Sequence, residues 1–379
     1  MKKSFLLAAF AGILLAGCTS DEQTEVATSR TDNPIVFNSP IVNAQTRAAV
    51  AGEQPRTDGK YSTSEKFRVY AVQHIGNFQG WNADGTQLYL NNLEVSYKDD
   101  NGGWAPSDPV YWPKTENAKL TFAAYSPSDA NDFNPVYNNT GLSFTGFTPK
   151  SNVAEQYDLM YSSRSYNRTA STNLLTSGTG HTTSSYDGVD ILFHHALSSI
   201  NFKAKTAANY SDTEIKIQKI TINNAYTKAD FSENITNETT YASSPAWSNF
   251  QTPRNYVVYD SETSALSTTV TELLGKPALL IPQKMDGSDA TTAAAQEIKV
   301  TGNYTIKVGD GEAVAQTGIV SFVNGNNGDY FTDGTNAIVA WEMGKRYTYT
   351  ISIGLNNIIY FSPEVDNWDD INASGDINI

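Results

Sequence analysis

The sequence predicts an all-β protein arranged as two β-sandwiches in series. Short stretches in which apolar and polar residues alternate recur along the chain, and proline or clusters of Gly, Asn and Asp end them. Tyrosine and phenylalanine, which favour strands, occur 21 and 16 times, whereas stretches with helical periodicity are few. The length of 379 residues suits two domains of about 150 residues each.

The charge balance limits the partners that the protein can take. The chain has 26 basic and 40 acidic residues, and its formal net charge is −14. This charge opposes binding to nucleic acid and to anionic lipid head groups. Cys18 is the single cysteine, so no disulfide can form within one chain.

Residues 1–17 are organised as a lipoprotein signal peptide. A basic start is followed by an apolar stretch, residues 5–15, which is too short to span a bilayer. The peptide ends in Leu15-Ala16-Gly17-Cys18, which is similar to the lipobox of bacterial lipoproteins, where cleavage before the cysteine frees it for acylation. We therefore predict lipidation of Cys18 and attachment to the outer membrane. The acidic residues directly after Cys18 resemble a signal for transport to the cell surface.

The first predicted strand covers residues 34–44. From Ile35 the residues alternate, with positions 35, 37, 39 and 41 on one face and positions 36, 38, 40 and 42 on the other. Pro40 has no N–H to give to a ladder, so it indicates a strand at the edge of a sheet. Loss of such a strand would leave an apolar groove and an unpaired edge, which can bind a strand from another chain.

A short polar segment after this strand suits proteolytic removal. Arg47 and Ala48 lie among small, flexible residues, as a trypsin-like protease requires. Cleavage between them would make residues 18–47, the tether and first strand, a propeptide. Arg30 and Arg56 are alternative cleavage positions.

The last nine residues are a candidate for the strand that fills such a groove. Residues 371–379 alternate without a break, and the apolar stripe consists of Ile371, Ala373, Gly375, Ile377 and Ile379. Insertion of this strand into a neighbouring subunit would give head-to-tail, non-closing assembly. The alternative is that both ends of the chain are ordinary strands of one closed sandwich.

The remaining pattern gives the predicted domains, residues 48–187 and residues 188–379. Residues 163–188, rich in Ser, Thr, Gly and Asn, are predicted to be a linker or a long functional loop. Further strands are predicted at 66–72, 86–97, 110–113, 119–127, 157–161, 189–202, 215–222, 278–282, 298–308, 318–323 and 346–355.

Catalytic chemistry is not indicated, and neither a metal nor another cofactor is expected. His194 and His195 are adjacent on a predicted strand and therefore point to opposite faces, so they cannot chelate one metal without a bulge. The motifs of nucleophilic, zinc-dependent and nucleotide-dependent enzymes are lacking. The six tryptophans are predicted to pack in the core, with stacking on sugars as the alternative: Trp81, Trp104, Trp112, Trp247, Trp341 and Trp368.

Six stretches, taken in their order, resemble the fimbrillin family, the lipoprotein pilus subunits of certain Gram-negative anaerobes. They are residues 35–48, Val110-Tyr111-Trp112-Pro113, Tyr157-Asp158-Leu159-Met160-Tyr161, residues 189–202 with the centre Phe-His-His-Ala-Leu-Ser-Ser-Ile, Leu279-Leu280-Ile281-Pro282-Gln283 and residues 343–351.

The resemblance implies two tandem transthyretin-like β-sandwiches and export as a lipidated precursor. An arginine-specific protease would remove the first strand, and a strand from the next subunit would replace it. Carried over to this chain, Cys18 is the lipid site, Arg47 precedes the scissile bond and residues 371–379 are the donor strand.

The expected function is that of a structural subunit of a surface fimbria that supports cell adhesion. Its expected partners are other pilus subunits, in a homopolymer or a heteropolymer, and the processing protease. The alternatives are a pilus anchor or tip subunit and a monomeric, lipid-anchored protein that binds a glycan or a host protein. In that last case Trp81, Trp104 or residues 163–188 would form the binding surface.

Overall fold

The protein is an all-β structure, as the sequence predicts. The computed structural model describes residues 34–43, 61–80, 86–98, 103–130, 132–170, 188–237, 242–251, 253–289, 296–324, 329–332, 337–355 and 359–367. In these ranges the chain forms 25 strands and one 3₁₀ turn, Val153–Glu155. The same ranges contain no helix that is long and apolar enough to cross a membrane.

The first half of the chain contributes ten strands. They are β1 (Ile41–Asn43), β2 (Lys66–Ile75), β3 (Gln87–Lys98), β4 (Gly103–Pro106), β5 (Ala118–Ser126), β6 (Asn134–Asn138), β7 (Gly141–Phe147), β8 (Met160–Ser162), β9 (Ser165–Arg168) and β10 (Leu192–His195).

The second half contributes fifteen strands. They are β11 (Ser198–Thr206), β12 (Thr213–Tyr226), β13 (Ala229–Ser232), β14 (Ile235–Asn237), β15 (Ala242–Ser243), β16 (Ala246–Ser248), β17 (Pro253–Asp260), β18 (Thr271–Glu272), β19 (Ala278–Leu280), β20 (Lys299–Val308), β21 (Val314–Ser321), β22 (Val323–Asn324), β23 (Asp329–Tyr330), β24 (Lys345–Ile353) and β25 (Ile359–Asn367).

An eight-stranded sheet organises the first half. Its strands follow the order β1-β10-β8-β5-β2-β3-β4, and β9 also pairs with β5. The middle of this sheet is buried on both faces, because side chains of β5 alternate between two cores. Phe122 and Ala124 belong to one core with Phe67 of β2, and Ala123 and Tyr125 belong to the other.

A smaller sheet covers one face of this sheet, the face that carries Ala123 and Tyr125. Its order is β16-β13-β7-β6, so strands from both halves of the chain share it. Phe144 of β7 stacks on Phe231 of β13 at a centroid distance of 5.2 Å. Phe144 also contacts Tyr125 of the large sheet edge to face at 5.6 Å. These aromatic contacts join the two sheets as a sandwich.

Two further sheets form a second sandwich from the second half of the chain. One has the order β18-β11-β24-β25, with β19 paired to β11, and the other has the order β17-β12-β20-β21. Their facing sides supply a continuous core that includes Phe202, Ile220, Tyr304 and Tyr349. β11 and β24 pair in parallel over eight residues, which places their alternate side chains in the same core.

Three sequence-based predictions need correction. Val110–Pro113 is not a regular strand, because Tyr111 makes only an isolated bridge to Pro34. The predicted linker contains β9, which pairs with β5, while residues 171–187 lie outside the described ranges. Residues 188–195, predicted to begin the second domain, pair with β8 and with the N-terminal segment, so they belong to the large sheet.

Candidate assembly site

Residues 34–43, called the closing segment below, pair with a strand on each side. On one side the N–H of Phe37 donates to the carbonyl of Trp104 in β4, with N–O 2.8 Å, and Trp104 donates back at 3.3 Å. On the other side Val189 donates to Val36 at 2.8 Å, and Ile41 donates to the carbonyl of Ile191 at 3.0 Å. The closing segment thus joins the two outer strands of the large sheet and closes it into a ring.

The prediction that this segment lies at a sheet edge therefore holds for only part of it. Phe37 is paired on both sides, whereas β1 pairs with β10 alone among the described strands and ends the strand order of the large sheet. Pro40 lacks an N–H and precedes β1, where the described ladder runs only toward β10, while the two-sided pairing lies before it, around Phe37. The proline is accommodated where the pairing is irregular. Between Phe37 and Ile41 the segment advances four residues, whereas the paired strand advances three, from Val189 to Leu192.

This one-residue bulge changes which side chains face inward. Ile35 and Phe37 are buried as the alternation predicts, but Ser39 is exposed and Pro40 is buried. Val42 packs against the same core as Ile35 and Phe37. The inward stripe is therefore 35, 37, 40 and 42, because an extra residue shifts the alternation by one position.

Aromatic side chains form the surroundings of Phe37. Its ring is 1% exposed and meets Phe67 at 5.6 Å and Phe122 at 5.8 Å, both edge to face. Phe67 in turn contacts Trp104 at 5.7 Å, and Phe122 contacts Trp112 at 5.9 Å. Phe37 therefore completes an aromatic core inside the ring, and without it that core would have a cavity of the size of a phenyl group.

A glycine allows the closing segment to lie close to the neighbouring chain. A Cβ atom added to Gly188 would lie 2.3 Å from both the carbonyl carbon of Phe37 and the amide nitrogen of Asn38. The contact atoms belong to the backbone, so no rotamer change could relieve the clash. This requirement could not be predicted from the residues around Gly188, because the strand that imposes it is 150 residues away.

Asn38 fixes the register at this point with polar contacts. Its side-chain oxygen accepts from the N–H of Gly188 at 2.8 Å, and its amide group donates to a carboxylate oxygen of Asp190 at 2.6 Å. Arg168 lies 3.4 Å from the other carboxylate oxygen of Asp190. Since a one-residue slip would lose these bonds, Asn38 specifies one pairing of the closing segment.

Tyr61 packs against the closing segment, although it follows the predicted cleavage position in the sequence. Its N–H donates to the carbonyl of Pro40 at 3.1 Å, and its ring lies 5.2 Å from Trp104 and 5.3 Å from Phe193. The hydroxyl donates to the carbonyl of Lys66 at 2.8 Å. Burial raises the pKa of Tyr61 well above its ordinary value. Tyr61 is therefore a neutral part of this core at all physiological pH values.

The residues predicted for processing and donation lie outside the described ranges. These are Cys18, Arg47, Ala48 and the donor stripe Ile371, Ala373, Gly375, Ile377 and Ile379. The structure describes the chain up to Asn43 and again from Tyr61 on, so the predicted cut falls between two described parts of the same core. At the other end, β25 is the last described strand.

The two adjacent histidines have separate partners, as expected for neighbours on one strand. His194 contacts the hydroxyl of Ser163 through Nε2 at 2.7 Å, and His195 lies 2.6 Å from a carboxylate oxygen of Asp158. Both histidines are buried. Across the described parts of the chain, no three His, Cys, Asp or Glu side chains are grouped so that they could hold a metal ion.

Tryptophan placement supports core packing for three residues of the six. Trp104, Trp112 and Trp341 are buried, so none of them can stack on a sugar at the surface. Trp247 is half-buried and, with Phe250, lines a shallow cleft of about 260 Å³. Trp81 and Trp368 lie outside the described ranges.

Comparison with known proteins agrees with this architecture. The family model described as fimbrillin-like matches residues 46–368, which is most of the chain. The chain belongs to the fimbrillin-like family. A comparison with curated proteins found no significant match.

Solved structures similar to this fimbrillin-like chain come from Bacteroides and Porphyromonas species. A fimbrial protein from Bacteroides vulgatus aligns with a TM-score of 0.56 and 18% identity, over 88% of this chain and 99% of that one. A candidate cell adhesion protein from Bacteroides uniformis aligns with a TM-score of 0.45 and 15% identity, over 89% and 100%. The tip fimbrial protein Mfa3 from Porphyromonas gingivalis, truncated at its C-terminus, aligns with a TM-score of 0.34 and 10% identity, over 80% and 94%. The first of these likenesses supports the fold.

Proposed function

We propose that the protein is a structural subunit of a surface fimbria that polymerises by strand exchange and supports cell adhesion. In this proposal the chain is exported as a lipoprotein acylated at Cys18 and reaches the outer face of the outer membrane. A protease then cuts between Arg47 and Ala48. The closing segment leaves, and a strand from another subunit takes its place.

The position of the closing segment is the observation that carries the proposal. A segment that is hydrogen-bonded on both sides leaves two unpaired edges when it is removed, one at β4 and one at residues 188–192. It also leaves an aromatic cavity where Phe37 lay. An extended strand of another chain can restore both the ladder bonds and the apolar contacts, so exchange would be favourable without any catalytic side chain.

Two tandem transthyretin-like sandwiches are part of the same proposal. We draw the boundary between them after β10, because residues 188–195 pair within the first sheet. The outer sheet that β7 shares with β13 would then connect the two domains. Residues 371–379 would follow β25 and act as the strand donated to a neighbouring subunit.

The N-terminus of the protein on the cell surface tests the proposal. We expect N-terminal sequencing and intact mass to give a chain that starts at Ala48 and carries no lipid. The variant Arg47→Ala should keep an acylated Cys18 and fail to enter filaments, while the matched variant Arg56→Ala should be processed normally. A wild-type surface protein that starts at acylated Cys18 would contradict the proposal and favour an anchor subunit.

A monomeric binding protein is the second candidate function, and the cleft at Trp247 and Phe250 favours it. The half-buried indole donates a hydrogen bond to the carbonyl of Ala196 at 2.7 Å, so its ring is held in place. An ordered aromatic face in a cleft can stack on a sugar ring. Trp104, the earlier candidate for this role, is buried. Loss of glycan binding on Trp247→Ala, with the fold intact, would support this function.

A further inference from the structure

We propose that the groove under the closing segment selects a strand with an aromatic side chain at the position of Phe37, and that its occupant is a different chain. The occupant is therefore not a second copy of this protein. This inference rests on the proposed function, because it concerns the strand that replaces residues 34–43. Assembly at this groove would then be heteromeric.

The first argument is the shape of the space that Phe37 fills. Phe67 and Phe122 contact its ring edge to face at 5.6 and 5.8 Å, nearly perpendicular to it. These neighbours are themselves 0% exposed, and they lie on β2 and β5 in the middle of the large sheet. Because both strands are packed on their other face as well, they cannot move inward to fill a smaller space.

The second argument is the composition of the strand that this chain itself would donate. In residues 371–379 the apolar stripe contains only Ile, Ala and Gly. Every register that turns this stripe inward therefore places Ile, Ala or Gly at the position of Phe37. None of these side chains has the flat ring that the edge-to-face contacts require, so a copy of this chain would leave part of the space empty.

Nearby aromatic residues do not change this conclusion. Tyr360 and Phe361 lie on β25, which pairs with β24 along its length. Trp368 has the opposite parity to the stripe of 371–379, so on a continuous strand it faces away from the groove.

A competition experiment on the nicked full chain tests the inference. The chain from Cys18 onward is made with Arg30→Lys and Arg56→Lys, labelled with a fluorophore on its single cysteine, and cut after Arg47. Displacement of the labelled fragment, which contains the closing segment, is followed by fluorescence anisotropy. The measurement is made in dilute urea and started in two ways, once with the fragment bound to the cut chain and once with the two separated, so that both must reach the same equilibrium.

Four synthetic peptides compete with the fragment. They are the native sequence of 34–43, its variant Phe37→Ala, its variant Ser39→Ala and the sequence of 371–379. We expect Phe37→Ala to compete at least about 100-fold more weakly than the native peptide, since a buried phenyl group is lost. Ser39→Ala, which changes an exposed position, should compete within about threefold of the native peptide. The 371–379 peptide should compete more than tenfold more weakly than the native peptide.

The outcomes separate the inference from the proposed function. If the 371–379 peptide competes within tenfold of the native peptide, the inference is overturned and strand exchange stands. If the native peptide itself fails to displace the fragment at equilibrium, the groove does not exchange strands, and the proposed function falls together with the inference. Strong competition by the native peptide and weak competition by the 371–379 peptide supports both.

Discussion

The main-chain N–H of Phe37 donates a 2.8 Å hydrogen bond to the carbonyl oxygen of Trp104, and this bond joins the closing segment to β4. The side chain of the same residue packs against Phe67 and Phe122 in the aromatic core. One residue thus supplies ladder bonds and core packing together. A strand that replaces the closing segment has to satisfy both requirements at the same position.

Truncation of Phe37 is expected to destabilise the full-length chain strongly. Its ring is 1% exposed and contacts two buried phenylalanines, so Phe37→Ala should lower the free energy of unfolding by about 3–5 kcal/mol. Chemical denaturation followed by tryptophan fluorescence measures the change. Ser39→Ala is the control, because Ser39 is exposed and its loss should cost less than about 0.5 kcal/mol. Equal stability of the two variants would contradict the described packing.

Substitution of Gly188 should affect the chain only when the closing segment is present. A methyl group there would lie 2.3 Å from the backbone of Phe37 and Asn38, so Gly188→Ala should destabilise the full-length chain by about 1–3 kcal/mol. In a chain that starts at Ala48 the clashing strand is missing, and the penalty should disappear.

The comparison of these two chains by thermal denaturation checks the prediction. Gly275→Ala serves as the matched control, since a Cβ atom there meets nothing within 4 Å. If Gly188→Ala destabilises the chain equally with and without residues 18–47, the glycine is not required for the close approach of the closing segment.

Local sequence patterns predicted the strands whose alternation is regular. β2 was predicted as 66–72 and extends over Lys66–Ile75, and β24 was predicted as 346–355 and extends over Lys345–Ile353. In β24 the apolar residues recur at every second position, and that period depends only on the strand itself. In β2 the period is regular only at its start, because both faces of this strand are buried farther along. The burial of Ile35 and Phe37 followed from the same rule.

The position of the closing segment in the sheet could not be predicted in this way. Alternation tells which residues of a strand point inward, but it does not identify the strands on either side. Here those partners are Trp104 and Val189, which are distant in sequence. The bulge before Ile41 is likewise imposed by the pairing with Leu192, so the alternation of the isolated segment wrongly placed Ser39 inward.

The stability of the protein should fall as the pH decreases below about 6.5, in part because of His74. The ring is 2% exposed, with Nε2 3.0 Å from the hydroxyl of Thr121 and Nδ1 3.1 Å from the carbonyl of Gly76. Burial lowers the pKa of His74, and nearby Lys119 lowers it further, while the bond to Gly76 acts in the opposite direction.

The sign follows from proton binding. Between the lowered pKa of the folded state and the ordinary value near 6.5, the unfolded chain binds more protons than the folded one, so acid favours unfolding. Urea midpoints measured from pH 7 to pH 5 should fall less steeply for His74→Gln than for the wild type. When the midpoints are converted to free energies of unfolding, the slopes of the two proteins against pH should differ by no more than about 1.4 kcal/mol per pH unit, which corresponds to one proton. Identical slopes would contradict a buried neutral His74.

The apolar stripe of residues 371–379 should be necessary for incorporation into filaments under the proposed function. Ile377→Asp places a charge on the stripe that would enter a neighbouring subunit, and burial of an unpaired carboxylate in a groove is costly. Ser374→Asp adds the same charge to the opposite face of the strand, which would point to solvent. Both chains should fold with similar thermal stability, but only the Ile377 variant should be absent from SDS-resistant filaments isolated from cells. If Ile377→Asp enters filaments as well as Ser374→Asp does, the terminal strand is not the donor, and another segment of the chain has to make the contact between subunits.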